Sequence, residues 1–265
     1  MHKYGILVLL IVIGIFSFKN VDDKSVFDFS VNYFDVDILG NLYLVHGNEL
    51  SKYDKEGKRK ATYTNLSLGD ISSIDASDAM NLLVFYEDFG KVIFLDNTLS
   101  IKKSAISLAD LGFPNATLVC LSYNNSFWLF DPVNQELIRI NQFLEISERS
   151  GNLNQIIQTE IEPNQLFETG NHVYLKDVNE GVFIFDRYGG FLKRMPFLQV
   201  DDLQLSASNT LQYLRNDTLF EYNMKLLDSD TLVLKHQNIK RVKRDSFSLY
   251  FLNKKGRMYI DNIQK

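Results

Sequence analysis

The chain has 265 residues, a formal charge of −5, 45% hydrophobic and 23% charged residues, and 20 Phe and 13 Tyr. Such a balance excludes a disordered chain and a global basic field for nucleic acid, and leaves room for one large domain or two small ones. A single cysteine, Cys120 in an apolar run, excludes an intramolecular disulfide and reads as a small buried hydrophobe, so stability must come from core burial.

Residues 1–18 read as a secretory signal peptide. Met1 to Lys3 are short and basic, and Tyr4 to Phe18 are almost wholly apolar. That stretch is shorter than the roughly 20 residues that cross a bilayer comfortably. Ser17 suits the position before a cleavage site, whereas Ile15 is bulky for the position two before it. The alternatives are a retained N-terminal anchor or a buried first element. Residues 19–265 are then expected to form a single β-propeller domain.

From there the chain repeats. Short β-type runs end in an apolar residue followed by Asp or Asn: Tyr53-Asp54, Leu95-Asp96, Ile140-Asn141, Phe185-Asp186, Tyr222-Asn223 and Ile260-Asp261. The spacing is roughly forty residues, the length of a four-stranded propeller blade. Three positions after the first five stand Gly57, Leu99, Leu144, Gly189 and Leu226, so each site reads as a hairpin turn. Apolar strands precede these turns, among them Leu82 to Tyr86, Ser126 to Phe130 and Leu211 to Leu214. More polar outer strands follow, such as Lys58 to Thr64, Ser100 to Ser107 and Phe191 to Phe197.

The units run about 33–64, 72–107, 117–151, 164–197, 203–235 and 239–261. The sixth has only three strands. The alternating stretch Val26 to Ser30 belongs to no other unit and is expected to supply its outer strand, beside Gly256 to Asp261. The fold class is therefore all-β: a six-bladed β-propeller closed by its N-terminus. A pair of β-sandwiches and rings of five or seven blades are the competing architectures. The segment Gly151 to Pro163 is outside the pattern and reads as a longer connection with one helical turn.

Chemistry is sparse. His2, His46, His172 and His236 stand at no ligand spacing, and no nucleotide loop or nucleophile elbow is present. Asp35, Asp37, Asp75, Asp78, Asp201 and Asp202 are placed to approach a central channel, where some propeller glycosidases gather acids. Turn and solvent roles account for most such acids, and no pair is singled out. The run Lys240-Arg241-Val242-Lys243-Arg244 falls on the innermost strand of unit six. Strict alternation puts Lys240 and Arg244 on one face and Arg241 and Lys243 on the other, with some charges at the channel. The sequence nominates no catalytic, cofactor-binding or metal-ligating residue, and no cofactor.

Several stretches carry a family likeness. They are Leu83 to Phe89 with Phe94 to Ser100, Leu121 to Leu129, Thr169 to Leu175, and Gly181 to Asp186. Together they resemble a group of exported Bacteroidota β-propellers, to which the plugging subunit of the type IX secretion translocon belongs. The resemblance spans about Phe34 to Asp261. It implies a periplasmic, non-enzymatic protein, attached to the outer membrane through a secretion barrel of a multi-subunit translocon. It implies no nucleic acid, no small-molecule substrate and no direct membrane span after signal removal. A propeller hydrolase and a sugar or peptide sensor are the alternatives. Asp217-Thr218-Leu219 and Asp230-Thr231-Leu232 match the loose O-glycosylation pattern of that phylum.

Overall fold

The computed structural model describes residues 26–205, 210–245 and 248–263. The expected signal peptide lies outside the described residues. The described residues form six antiparallel sheets arranged as a six-bladed β-propeller. Blade one holds β1 (Tyr33–Val36), β2 (Leu42–His46), β3 (Glu49–Tyr53) and β4 (Arg59–Thr64). Blade two holds β5 (Ser73–Asp75), β6 (Leu82–Tyr86), β7 (Lys91–Leu95) and β8 (Ile106–Ser107). Blade three holds β9 (Leu118–Ser122), β10 (Ser126–Asp131), β11 (Glu136–Ile140) and β12 (Ile146–Arg149). A short helix α1 (Leu153–Ile157) leads to blade four: β13 (Pro163–Thr169), β14 (His172–Asp177), β15 (Gly181–Asp186) and β16 (Phe191–Met195). Blade five holds β17 (Asp202–Leu205), β18 (Thr210–Arg215), β19 (Thr218–Asn223) and β20 (Asp228–Val233). Blade six holds β21 (Ile239–Arg244), β22 (Ser248–Asn253) and β23 (Met258–Asn262).

The pleat of the middle strands explains why they are apolar at every position. In β6, Leu82, Val84 and Tyr86 pack toward blade one, while Leu83 and Phe85 pack toward blade three. In β10, Phe127 and Leu129 face blade two, and Trp128 and Phe130 face blade four. Successive side chains point to opposite sheet faces, so a strand covered on both faces needs no polar alternation. Six apolar clusters fill the six junctions between blades, which closes the ring. The outermost strands carry the polar surface; β20 is exposed along its whole length.

The turn repeat is built as the spacing implies, with two departures. Asp96 Oδ1 accepts from the backbone N–H groups of Thr98 and Ser100, and Asp186 Oδ1 does the same for Tyr188 and Gly190. Gly57, Leu99, Leu144 and Gly189 then take positive φ. In blade five the left-handed residue is Leu227, not Leu226, because the turn is one residue longer and Leu227 N–H reaches Asn223 O. The expected outer strand Ser100 to Ser107 shrinks to β8, preceded by a single bridge between Leu95 and Ile101.

Closure occurs where the sequence places it, in a less regular form. Blade six has three named strands. Residues 26–31 run antiparallel along β23 through two backbone bonds, Val26 N–H to Met258 O and Val31 N–H to Gly256 O, both 2.8 Å. Phe27, Phe29 and Val31 pack with Phe34, Tyr53, Leu252 and Met258. Burial of these rings, more than a ladder, holds the junction. Gly256 sits at φ 77°, and a Cβ there would collide with Ser30 Oγ and lie 3.2 Å from Val31 O. Gly256→Val should therefore lower unfolding stability by about 2 kcal/mol or more. Urea unfolding reads the loss, and amide exchange should speed up at Val26 and Val31 first.

Candidate functional site

The inner strands β1, β5, β9, β13, β17 and β21 present their free edges to the ring axis. Between them lies a cavity of about 930 Å³. A free strand edge leaves backbone groups unpaired, and here side chains from the neighbouring blade satisfy several of them. Asp35 Oδ2 accepts from Ala76 N–H at 3.0 Å, linking blade one to blade two. Asp75 Oδ2 accepts from Leu121 N–H at 2.8 Å, linking two to three. Gln165 Oε1 accepts from Leu203 N–H at 3.0 Å, linking four to five. Asp202 Oδ2 accepts from Val242 N–H at 2.9 Å, linking five to six. Arg241 Nε donates to Phe34 O at 2.8 Å, closing six onto one.

Blade three departs from this relay. The equivalent position is Cys120, which packs in the core with Trp128 and Leu175. Burial first, then the Asp75 and Glu168 charges, push its thiol well above its ordinary value. The link to blade four comes instead from Glu168, whose Oε2 accepts from Ser122 Oγ at 2.5 Å and from Trp128 Nε1 at 2.8 Å.

Arg241 is the electrostatic centre. Its guanidinium lies 3.4 Å from Asp202 Oδ1 and 3.8 Å from Asp35 Oδ1, and stacks 4.2 Å from the Tyr33 ring centre. Lys243 Nζ adds a 3.1 Å pair to Asp35. Burial works against the Arg241 charge, but Tyr33, Asp202, Asp35 and Asp75 outweigh it and raise its pKa. Burial likewise raises Asp35, yet Lys243, Arg241 and the Ala76 N–H together hold it below its ordinary value. Lys176 is fully buried in β14 and donates to Val200 O and Asp201 O. Burial pushes its pKa down to about 8, against the pull of Asp202 and Asp201.

The candidates read from the sequence divide cleanly. Asp35, Asp37, Asp75, Asp201 and Asp202 line the cavity. Asp78 does not; its carboxylate accepts from Met80 N–H in the β5–β6 turn. Lys240, Arg241, Lys243 and Arg244 all reach the cavity, so strict alternation fails. A bulge between Ile239 and Arg241 breaks the period, and the inner edge lets long side chains from both faces turn to the axis. Arg244 pairs with Glu221, and Lys240 donates to Asn32 O. His46, His172 and His236 lie outside the cavity lining; His236 stacks on Tyr259 with ring centres 4.1 Å apart. The relay of Asp35, Asp75, Gln165, Asp202 and Arg241 was missed as a unit. Its signal was present, a polar residue at the blade spacing in five of the six inner strands, with Cys120 standing at that position in blade three.

A second feature lies on the ring surface. Consecutive turns of an antiparallel blade alternate between its two ends, so first-to-second and third-to-fourth strand turns share one face. On that face stand the exposed side chains Ile38, Leu39, Met80, Ile101, Phe143, Tyr188, Leu226 and Leu227. Ile38 is 87%, Phe143 72% and Leu226 75% exposed. Fewer large apolar residues are exposed in the turns and connections of the opposite face, where Leu66, Phe89, Val133, Ile156 and Leu198 stand among the described residues. The turn chemistry produces the tips. The Asp or Asn cap consumes the local backbone donors and leaves the next side chains pointing outward.

No protein-family model matches the chain, and no curated protein matches it. Solved structures match at the level of fold. The virginiamycin B lyase from Staphylococcus aureus is 11% identical with a TM-score of 0.60, covering 85% of this chain and 78% of that one. The Neurospora crassa Pan2 WD40 domain is 10% identical with a TM-score of 0.61, covering 88% and 76%. BBS1N, solved in complex with ARL6DN, is 16% identical with a TM-score of 0.56, covering 85% and 75%.

Two outcomes test the axis. Arg241→Met leaves Asp35 and Asp202 buried with less compensation and should cost about 3–5 kcal/mol in urea unfolding. The Lys176 pKa is about 8 in the folded chain and ordinary, near 10.5, in the unfolded one. Between those values the unfolded chain binds more protons, so this group makes stability rise with pH. The wild type should therefore gain up to about 3 kcal/mol on Lys176→Met between pH 8 and 10.5. A stability difference that does not change with pH would contradict the buried-lysine account.

Proposed function

We propose that this chain is a non-enzymatic protein-binding propeller at the periplasmic side of the outer membrane, where it plugs the barrel of the type IX secretion translocon. The observation that carries the reading is the gathering of exposed apolar tips on one ring face. Large apolar side chains exposed together on one face suit a protein contact, and stable contacts bury about 1,200–2,000 Å² in total. A rigid ring offers such a face without ordering it on binding. The family likeness of Leu83 to Phe89 and Gly181 to Asp186 supports the choice of partner, and the apolar stretch from Tyr4 to Phe18 supports export.

The axis supports the same reading. Asp35, Asp75 and Asp202 spend oxygens on neighbouring backbone N–H groups, so they serve the ring. The complex of BBS1N with ARL6DN is a precedent for partner binding by a propeller of this kind.

A sugar or peptide sensor is the second reading. Gln204 lines the cavity, and its Nε2 is buried without a hydrogen-bond partner, a donor available to a neutral polar ligand. Hydrolysis by a purified sample, abolished by changing one axial carboxylate, would favour a hydrolase over both.

The decisive experiment is affinity purification from the native envelope with mass spectrometry. The wild type should bring down an outer-membrane barrel in stoichiometric amount. A variant combining Phe143→Ser, Tyr188→Ser and Leu226→Ser should lose it with unchanged melting temperature. Recovery of a different partner, of none, or equal recovery by the variant sinks the proposal.

A further inference from the structure

Between blades three and four, on the face that carries the apolar tips, one tyrosine ring is sandwiched by two guanidinium groups. Tyr123 stands in the β9–β10 turn. Arg139 of β11 lies 3.6 Å from its ring centre, and Arg187 of the β15–β16 turn lies 3.8 Å from it. Arg139 is fully engaged: Nε donates to Ser122 Oγ at 2.8 Å, Nη1 to Ser147 Oγ at 3.2 Å and Nη2 to Tyr123 O at 2.8 Å. Arg187 donates no hydrogen bond among the described residues, and its Nε is buried without a partner.

Neither guanidinium forms an ion pair among the described residues. Glu148 is opposite Arg139 in the β11–β12 register, but the two do not pair. Glu168 reaches Arg139 only through the Ser122 hydroxyl. Two cations therefore flank one ring with no carboxylate in direct contact among the described residues; the Glu168 carboxylate meets Arg139 through one hydroxyl. Stacking on the ring offsets part of their repulsion, and a bound anion would offset the rest. The free fork of Arg187 has the planar geometry that takes a carboxylate with two parallel hydrogen bonds.

We propose that the Arg139–Tyr123–Arg187 stack is a carboxylate-binding site that receives an acidic side chain of the protein docking on this face. This rests on the protein-binding reading above and adds the chemistry of one anchor point. Exposed Tyr188 adjoins Arg187 in sequence, and exposed Phe143 and Leu144 follow β11. A charged anchor with exposed apolar side chains on the same face can concentrate binding energy, because apolar contacts around it exclude water once the partner docks. The chain carries a net charge of −5, so an acidic partner is repelled elsewhere and registered at this point.

The test is calorimetric titration of the purified protein at low salt. Its probes are a capped Phe-Glu-Leu tripeptide, its Phe-Gln-Leu counterpart and inorganic phosphate. The Glu peptide should bind at least tenfold more tightly than the Gln peptide, and raising salt to 300 mM should weaken it. Arg187→Gln should bring the Glu peptide down to the Gln level with an unchanged melting temperature. Equal affinity for the two peptides, indifference to Arg187→Gln, or binding of phosphate alone overturns the site. Recovery of the barrel from the envelope, unaltered by Arg187→Gln, would also overturn the site and leave the docking face standing. Peptide binding without barrel recovery would keep the site and remove that partner.

Discussion

A blade of this ring has two apolar faces, and neither can be covered from within the blade. Trp128 and Phe127 are neighbours in one strand, yet they belong to cores on opposite sides of it. Each sheet is thus stable only with two neighbours, and the last sheet only if it meets the first. The junction between blades six and one depends on Phe27, Phe29 and Val31 wrapping against Phe34 and Met258. Burial of apolar area supplies the drive, and ring closure is the condition for collecting it.

The axis shows what closure does to polar groups. Six strand edges meet around a cavity, and their unpaired backbone groups take side chains from the next blade as partners. Asp35, Asp75, Gln165 and Asp202 accept N–H groups one blade ahead, and Arg241 donates to a carbonyl of blade one. Buried charge is tolerated because it is paired: Arg241 pairs with Asp202 and Asp35, and Lys243 pairs with Asp35, while the more exposed Arg244 pairs with Glu221. Carboxylates committed in this way stabilise the ring.

Legibility followed the range of each interaction. The turns were readable because an Asp or Asn side chain acts on its own backbone two to four residues on, as Asp96 does for Thr98 and Ser100. The single helical turn before blade four was readable from the break in the pattern, and α1 is capped locally by Asn152. Five channel acids, Asp35, Asp37, Asp75, Asp201 and Asp202, were readable; Asp78 was misplaced there, and Glu87, Glu168, Glu221 and Asp245 were not foreseen. The stack on Tyr123 was not, because Arg139 and Arg187 come from different blades and nothing in either local sequence refers to the other.

By itself the sequence determined the strand pattern, the blade length and the place where the segment from Val26 to Val31 meets the last blade. All three depend on period-two burial and on short-range turn chemistry. Only the tertiary structure decided which charges neutralise one another at the axis and that Arg139 and Arg187 stack on Tyr123 without a direct ion pair among the described residues. Those outcomes depend on distances between blades, and a distance exists only once the ring has closed.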